Sequence, residues 1–470
     1  MKKILFYLLI LSLSLIVSCN TASNVKEKSK VDIIEKSNRD KDGSVNETND
    51  SVLENKEISR DNSKESENNA TFSENTTEED RIESKNAYTI EIDLIEGISD
   101  VYVGSEKKGA TPLSVSFEEG ERDIILKRSG YADQICRITV DRNRKITLKH
   151  NREQVLFKEA GVFECGDQPK QVIFSPDDNF IFLPLLEDYG FQIFDVKEGR
   201  ITKFIKPNRY SDMGFAEGLF LVNKSGEQTF FVSQMTTGYI YEYSYPDLTL
   251  KREISTGGKW PKFMAYSQKL NILAVTNWFT NNVSIIDYET GKVIKMLDTK
   301  AAPRGVTFTN DGESLIVLCF EGGVVQKFST KNWKEEKSIY KKNAAMRHIV
   351  MNSDNTKAYI SNMYHFEIYE VDLIEFKIIH TYKVFSNPNT IDLKDDKLLF
   401  VSSRGPNDPE SYLNRSPVNG KITVIDVEKR EVINVFEGGN QPTGLDVSSN
   451  GKYLCFSNFR DKNIEIYYID

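Results

Sequence analysis

Seven residues stand at one recurring place in the chain, each a single step after a proline or a residue that substitutes for it: Lys170, Glu217, Lys262, Arg304, Arg347, Asn389 and Thr443. Four are basic and one is acidic. If a fold gathers equivalent positions, they surround a common opening with positive charge, which suits an anionic ligand or an acidic patch on a partner. Aromatic and basic residues recur close by: Trp260, Trp278 and Phe279, Tyr364 and His365, Arg404, Tyr412, and Phe459 with Arg460. Such side chains exposed together are the usual anchors of recognition. The competing reading is solvated charges and tryptophans that plug gaps in packing.

Catalytic chemistry has fewer candidates. The four histidines are His150, His348, His365 and His380. A metal-dependent hydrolase would need several carboxylate, amide or imidazole groups converging, and only His348, Glu217, Asp392 and Asp446 offer themselves. Asp392 and Asp446 alternate with apolar residues and can as well face a neighbouring blade or water. No HExxH, CxxC, phosphate-binding loop, Gly-x-Ser-x-Gly or EF-hand loop occurs. No catalytic residue, metal or cofactor is therefore assigned.

These residues sit in a repeat. Asn281 to Cys319 reads as strand, turn, strand, loop, strand, turn, strand, with Gly291 and Asn310-Asp311-Gly312 as turn signals. One such unit cannot bury its own faces. Anchors at Pro169, Ala216, Pro261, Pro303, Met346, Pro388 and Pro442 are separated by 47, 45, 42, 43, 42 and 54 residues, the spacing of four-stranded propeller blades. Seven anchors imply seven blades, and the long last step is an insertion, Gly405 to Gly420. An aspartate closes the third strand of most blades (Asp195, Asp287, Asp372, Asp426, Asp470), where it suits a turn cap. Asp470 ends the given sequence, so blade seven lacks an outer strand. Phe163 to Pro169 nearly copies Phe436 to Pro442, so Leu156 to Phe163 is expected to supply it and close the ring.

At NNVSIIDYETGKVI followed by PRGVTFTNDG the repeat resembles the YVTN family of β-propellers. Ahead of it, Tyr88 to His150 shows about six short alternating strands. Its Gly109-Ala110-Thr111-Pro112-Leu113, Glu118-Glu119-Gly120 and Ser129-Gly130-Tyr131 resemble the PEGA domain, a small β-sandwich of envelope proteins. These devices read as turn and packing elements. The expected fold is all-β, a PEGA-like sandwich at 88–150 followed by a seven-bladed propeller at 154–470.

Met1 to Cys19 has two lysines, an apolar run from Ile4 to Val17, and Ser18-Cys19 at its end. The run is too short for an ordinary membrane span and reads as a secretory signal. Its end resembles the lipobox of bacterial lipoproteins, which implies cleavage at 1–18 and lipid on Cys19. Asn20 behind it favours the outer membrane over the inner. Residues 19–87 carry 17 acidic and 11 basic side chains and almost no aromatic ones, the composition of a disordered tether. Such a chain has an r.m.s. reach of about 45 Å. It also holds most of the net charge of −9. Cys136, Cys165, Cys319 and Cys455 show no paired spacing and read as small apolar fillers.

Two functions fit. The first is a lipid-anchored envelope protein whose propeller face binds a protein or glycan as scaffold, adhesin or assembly factor. The second is a propeller-type metal-dependent hydrolase or lactonase in the same place. The first is preferred, and an acidic, exported chain without a basic groove is not expected to bind nucleic acid.

Overall fold

The computed structural model describes residues 86–207, 209 and 214–469, and every element in it is a strand. The expected signal segment, Cys19, nearly all of the tether and Asp470 lie outside the described residues. Lys85 to Asp470 form one compact unit.

The N-terminal part holds seven strands, one more than expected. Strands β1 (Ala87–Leu94), β4 (Leu113–Glu118) and β7 (Arg144–Leu148) make one sheet, with β1 parallel to β7. Strands β2 (Asp100–Val103), β3 (Glu106–Ala110), β5 (Gly120–Lys127) and β6 (Gln134–Val140) make the other. The period-two alternation has its physical result here: Ile90, Ile92, Ile124, Leu126, Ile138 and Val140 all point between the sheets and are buried. Tyr131, after Gly130, packs on the guanidinium of Arg128 and on His150, a packing role.

The propeller follows in seven sheets. Blades one to six are 173–205, 215–255, 261–298, 303–340, 346–383 and 388–437. Blade seven combines β33 (Pro442–Val447), β34 (Tyr453–Asn458) and β35 (Asn463–Tyr468) with β8 (Lys158–Glu164), which pairs antiparallel to β35 as the outer strand. In all seven blades the pairing of the third strand with the outer one carries a register shift, and the shift at Ile466/Tyr467 against β8 falls where the other six have theirs. A strand borrowed from the far end of the repeat array thus reproduces even the irregularity of the strand it replaces.

Burial grades outward within each blade. In blade four the second strand, Ser314–Cys319, is buried at every residue, while the outer strand, Glu335–Tyr340, is mostly exposed. The sequence explains this, since Leu315, Ile316, Val317 and Leu318 read as a continuous apolar run packed on both faces, and Glu335-Glu336-Lys337 as a solvated edge. Blade seven joins blade one through a shared core of Val172, Phe174, Ile181, Cys455, Ile464 and Ile466. The third-strand aspartates cap turns as expected: Glu198 N donates to Asp195 Oδ1, Thr290 N to Asp287 Oδ1, and Lys429 N to Asp426 Oδ1, at 2.8, 2.8 and 2.9 Å. Cys136, Cys165, Cys319 and Cys455 are all free thiols.

Strand β8 also touches β6 by a parallel bridge between Cys136 and Glu159, so the sandwich sheet runs on into blade seven. The small domain is therefore not a free bead on the propeller. Lys149 reaches across to the Glu437 carbonyl at 2.9 Å, and Arg142 to Glu198 at 2.7 Å.

Candidate functional site

The innermost strands do not pair evenly. In blades three to seven the ladder skips two residues just after the anchor: Pro261 pairs Asn277, then Met264 pairs Val275, and Pro303, Met346, Pro388 and Pro442 do likewise. Blade one repeats this with a lone bridge from Pro169 to Leu185. Such a bulge re-aims a side chain away from the pleat. The first residue in it is Lys170, Lys262, Arg304, Arg347, Asn389 or Thr443. Blade two differs from expectation, because its anchor by pairing is Phe215 and not Ala216. Glu217 therefore stands second in its bulge, and the small Ala216 occupies the place that the cations take elsewhere.

Backbone conformation supports the same geometry. The residue before the anchor has φ between 56° and 61° in five blades: Gln168, Trp260, Ala302, Asn387 and Gln441. Left-handed backbone at an ordinary side chain costs about 1–2 kcal/mol. Its carbonyl in turn accepts a hydrogen bond from the amide of the residue that follows the second strand: Leu186 N donates to Gln168, Trp278 N to Trp260, Phe320 N to Ala302, Arg404 N to Asn387, and Phe459 N to Gln441, at 2.9 to 3.1 Å. A second ring of side chains is thereby fixed next to the first. It is apolar except for Arg404.

The charged residues of both rings are buried. Lys170, Lys262, Arg304, Arg347 and Arg404 are each no more than 9 % exposed, and Arg347 only 1 %. Charges expected at the mouth of the channel thus lie inside it, with Glu217 as the carboxylate among them. Arg304 Nη2 is 3.7 Å from Glu217 Oε1, too long for a hydrogen bond. Arg304 Nε, Arg347 Nη1, Arg404 Nε and both amide ends of Asn389 have no hydrogen-bond partner. Burial and the Arg304 guanidinium push the Lys262 amine down to about 7. Burial, with Arg304 and Arg347, pushes Lys170 well below its usual range, and burial pulls Arg404 down to about 10. Arginine keeps its proton in proteins, so the downward pull on Arg347 measures how poorly this site accommodates its charge.

Aromatic rings cover the cations. The Lys262 amine lies 5.2 Å from the Trp260 ring and 5.8 Å from Trp278, Arg304 is 5.4 Å from Trp278, and Lys170 and Arg404 are 5.6 and 5.3 Å from Phe459. Trp260 packs on Phe279 at 4.2 Å, and Phe320 on both Trp278 and Tyr364 at 5.1 and 5.5 Å. Phe279, Tyr364 and Tyr412 are exposed, whereas Phe459 is buried and Trp260, Trp278, His365 and Arg460 are half-buried. His365 is held in blade five, 3.3 Å from the Tyr369 hydroxyl, and nothing links it to the channel.

The insertion after Arg404 is pinned over the same end. Gln441 Nε2 donates to the carbonyls of Tyr412 and Asn414 at 3.2 and 2.8 Å, while Gln441 Oε1 accepts from Arg404. Asn440 and Ser416 exchange two bonds of 3.0 Å, and Arg415 pairs with Asp461 at 2.6 Å. Gln441, Phe320 and Met235, whose sulfur meets the Lys262 amine, belong to the site and carry no signal of their own in the sequence. Only the end of the second strand, once located, would have pointed to Phe320 and Met235.

Of the four residues considered for a metal, His348, Asp392 and Asp446 are otherwise engaged, while Glu217 stands among the channel cations. His348 Nδ1 accepts the Ile391 amide at 3.4 Å, Asp392 Oδ2 that of Val447 at 2.9 Å, and Asp446 Oδ2 that of Phe174 at 2.7 Å. Each serves the inner-strand edge of the next blade, whose amides would otherwise lack an acceptor. Burial raises both aspartates, and their contact raises Asp446 far above the carboxylate range. Among the described residues, no three His, Cys, Asp or Glu side chains are grouped to hold a metal.

Comparison with known proteins adds two firm findings. Residues 88–155 match the PEGA domain. Over 369 residues the chain is 33 % identical to Antigen Lp49 of Leptospira interrogans serogroup Icterohaemorrhagiae serovar copenhageni, covering 76 % of this chain and 80 % of that one. Among solved structures, hydrazine synthase of Kuenenia stuttgartiensis aligns at a TM-score of 0.44 with 17 % identity, over 51 % of this chain and 72 % of that one, too distant to carry an argument. With four-fifths of the relative's length matched at one identity in three, this PEGA-and-propeller chain belongs to the family of the leptospiral antigen Lp49.

Proposed function

We propose that the protein is a lipid-anchored binding protein of the bacterial envelope, whose YVTN-type propeller captures a protein or glycan partner at the channel end that carries the insertion. Lipid on Cys19 tethers it, in the outer membrane rather than the inner, and the polar segment to residue 87 holds the folded part clear of the bilayer. The relative's designation as an antigen fits a chain presented outside the cytoplasm. The observation that carries the binding reading is the exposed set Phe279, Tyr364 and Tyr412 beside a cluster of buried cations. Rigid aromatic surface beside desolvated positive charge is the composition of an interface core.

The test is capture from solubilised envelope by the full chain and by a Phe279→Ala/Tyr364→Ala variant. Both side chains are exposed, so the variant should keep its fold and lose the partner. Retention of the same partner by the folded variant would remove this face from the function.

A further inference from the structure

We infer that the channel beneath the aromatic mouth is a binding site for phosphate, free or as the terminal group of a larger molecule. The inference deepens the binding reading above but concerns a separate set of side chains. Lys170, Lys262, Arg304, Arg347 and Arg404 come from blades one, three, four, five and six, and all are buried. Of the five, only Arg304 has an ion pair within 4 Å among the described residues, and that contact makes no hydrogen bond. Buried charges without partners are strongly unfavourable, and apolar residues of similar size would serve stability better. A ring of this kind is explained by a ligand that supplies the missing charge. Three guanidinium groups on one side and two amines on the other offer donors from all round, which fits a tetrahedral oxyanion better than a planar carboxylate.

Glu217 refines the class. Its Oε1 is buried in the same cluster without a hydrogen-bond donor. Sulfate has no proton to give it and would be repelled. Hydrogenphosphate, or a phosphate monoester in its monoprotonated form, can donate its O–H to that oxygen while its other oxygens accept from the cations. The Trp278 and Phe320 rings lie against the Arg304 guanidinium, and Glu217 of blade two comes within 3.7 Å of Arg304 of blade four, so the charged groups face one another over a short span.

The experiment is calorimetric titration of the full chain in detergent with inorganic phosphate, sulfate and glycerol phosphate at constant ionic strength. Saturable phosphate binding is expected, with sulfate weaker by about tenfold or more, as loss of a hydrogen bond to a buried charged group implies. Glu217→Gln should bring the two anions within about threefold of each other. Arg347→Met should abolish binding while its thermal midpoint stays level or rises. Should that variant fail to fold, Lys262→Met gives the same comparison. Binding of glycerol phosphate as well supports the site and shows that it takes the group on a larger molecule. Absence of saturable phosphate binding at 10 mM, or equal binding by a folded Arg347→Met or Lys262→Met chain, would overturn the inference. Because the titration needs no partner, its failure leaves the capture experiment with the Phe279 and Tyr364 variant to stand or fall alone.

Discussion

Arg304 and Glu217 face each other at 3.7 Å across the channel, from blades four and two, with Lys262 of the intervening blade beside them. Glu217 is the buried carboxylate beside Lys170, Lys262, Arg304 and Arg347, and its charge offsets the repulsion among them. Glu217→Gln should therefore destabilise the propeller by about 3 kcal/mol, the usual consequence of leaving a buried charge uncompensated. Urea unfolding measures the loss, and millimolar phosphate or sulfate should recover part of it. An unchanged midpoint would mean that water reaches the cations freely.

Lys262 gives the cluster a pH signature. Its amine is faced by Arg304, Glu217 and Arg347, by the Met235 sulfur and by the rings of Trp260 and Trp278. Burial, then Arg304, lowers its pKa from 10.5 in the unfolded chain to about 7. Between those values the unfolded chain binds more protons than the folded one, so stability rises with pH across that window and the penalty is complete below it. Thermal midpoints at pH 6, 8 and 9.5 should climb for the native chain. In Lys262→Met that climb should flatten. Equal slopes in both would place the titrating group elsewhere.

Much of this architecture was legible in the sequence because its devices are local. Asp287 followed by Thr290-Gly291 specifies a capped turn within a few residues, and the same device at Asp195, Asp372 and Asp426 counts blades. The copied segments around Pro169 and Pro442 showed that β8 would complete blade seven. What could not be read depends on long-range geometry. Phe320 and Met235 look like ordinary core residues until the second strand's end is known. Lys170 and Arg347 look like surface charges, because side-chain type argues for exposure and only the bulge turns them inward. The bridge from Cys136 to Glu159 joins two domains through one residue pair.

Between blades five and six a different buried charge is well satisfied. Arg430 donates from Nε and Nη2 to the two Glu370 oxygens at 3.0 Å each, and Lys357 lies 3.0 Å away. Burial alone would raise the Glu370 carboxyl, but these bonds outweigh it and hold it below its ordinary 4.5. The contribution is present above that unfolded value and is lost as pH falls through the folded one. Arg430→Met should cost about 2 kcal/mol at pH 7, reduced from the fully buried case because Arg430 is 42 % exposed. The difference between the two chains should shrink towards pH 3, and a constant difference would show that the arginine acts by packing alone.

One contact at the seam of the ring is a close approach of backbones. A Cβ on Gly444 would stand 2.6 Å from the Cα of Gln171 and from the amide nitrogen of Val172, so the last blade meets the first backbone to backbone. The Gly444 amide donates to Ser457 Oγ of the neighbouring strand at 3.0 Å, and the same hydroxyl donates to the Pro169 carbonyl at 3.1 Å across the seam. An added methyl cannot be absorbed by a side-chain rotation here, since the atoms it meets belong to the main chain. Gly444→Ala should lower stability by about 1–3 kcal/mol, the range for overpacking. The loss should be local in origin: amide exchange should quicken first in Ile173–Phe174 and in β8, while blade four keeps its protection. Uniform acceleration around the ring would mean that the seam is no weaker than any other blade contact, and that β8 completes blade seven as firmly as a continuous strand would.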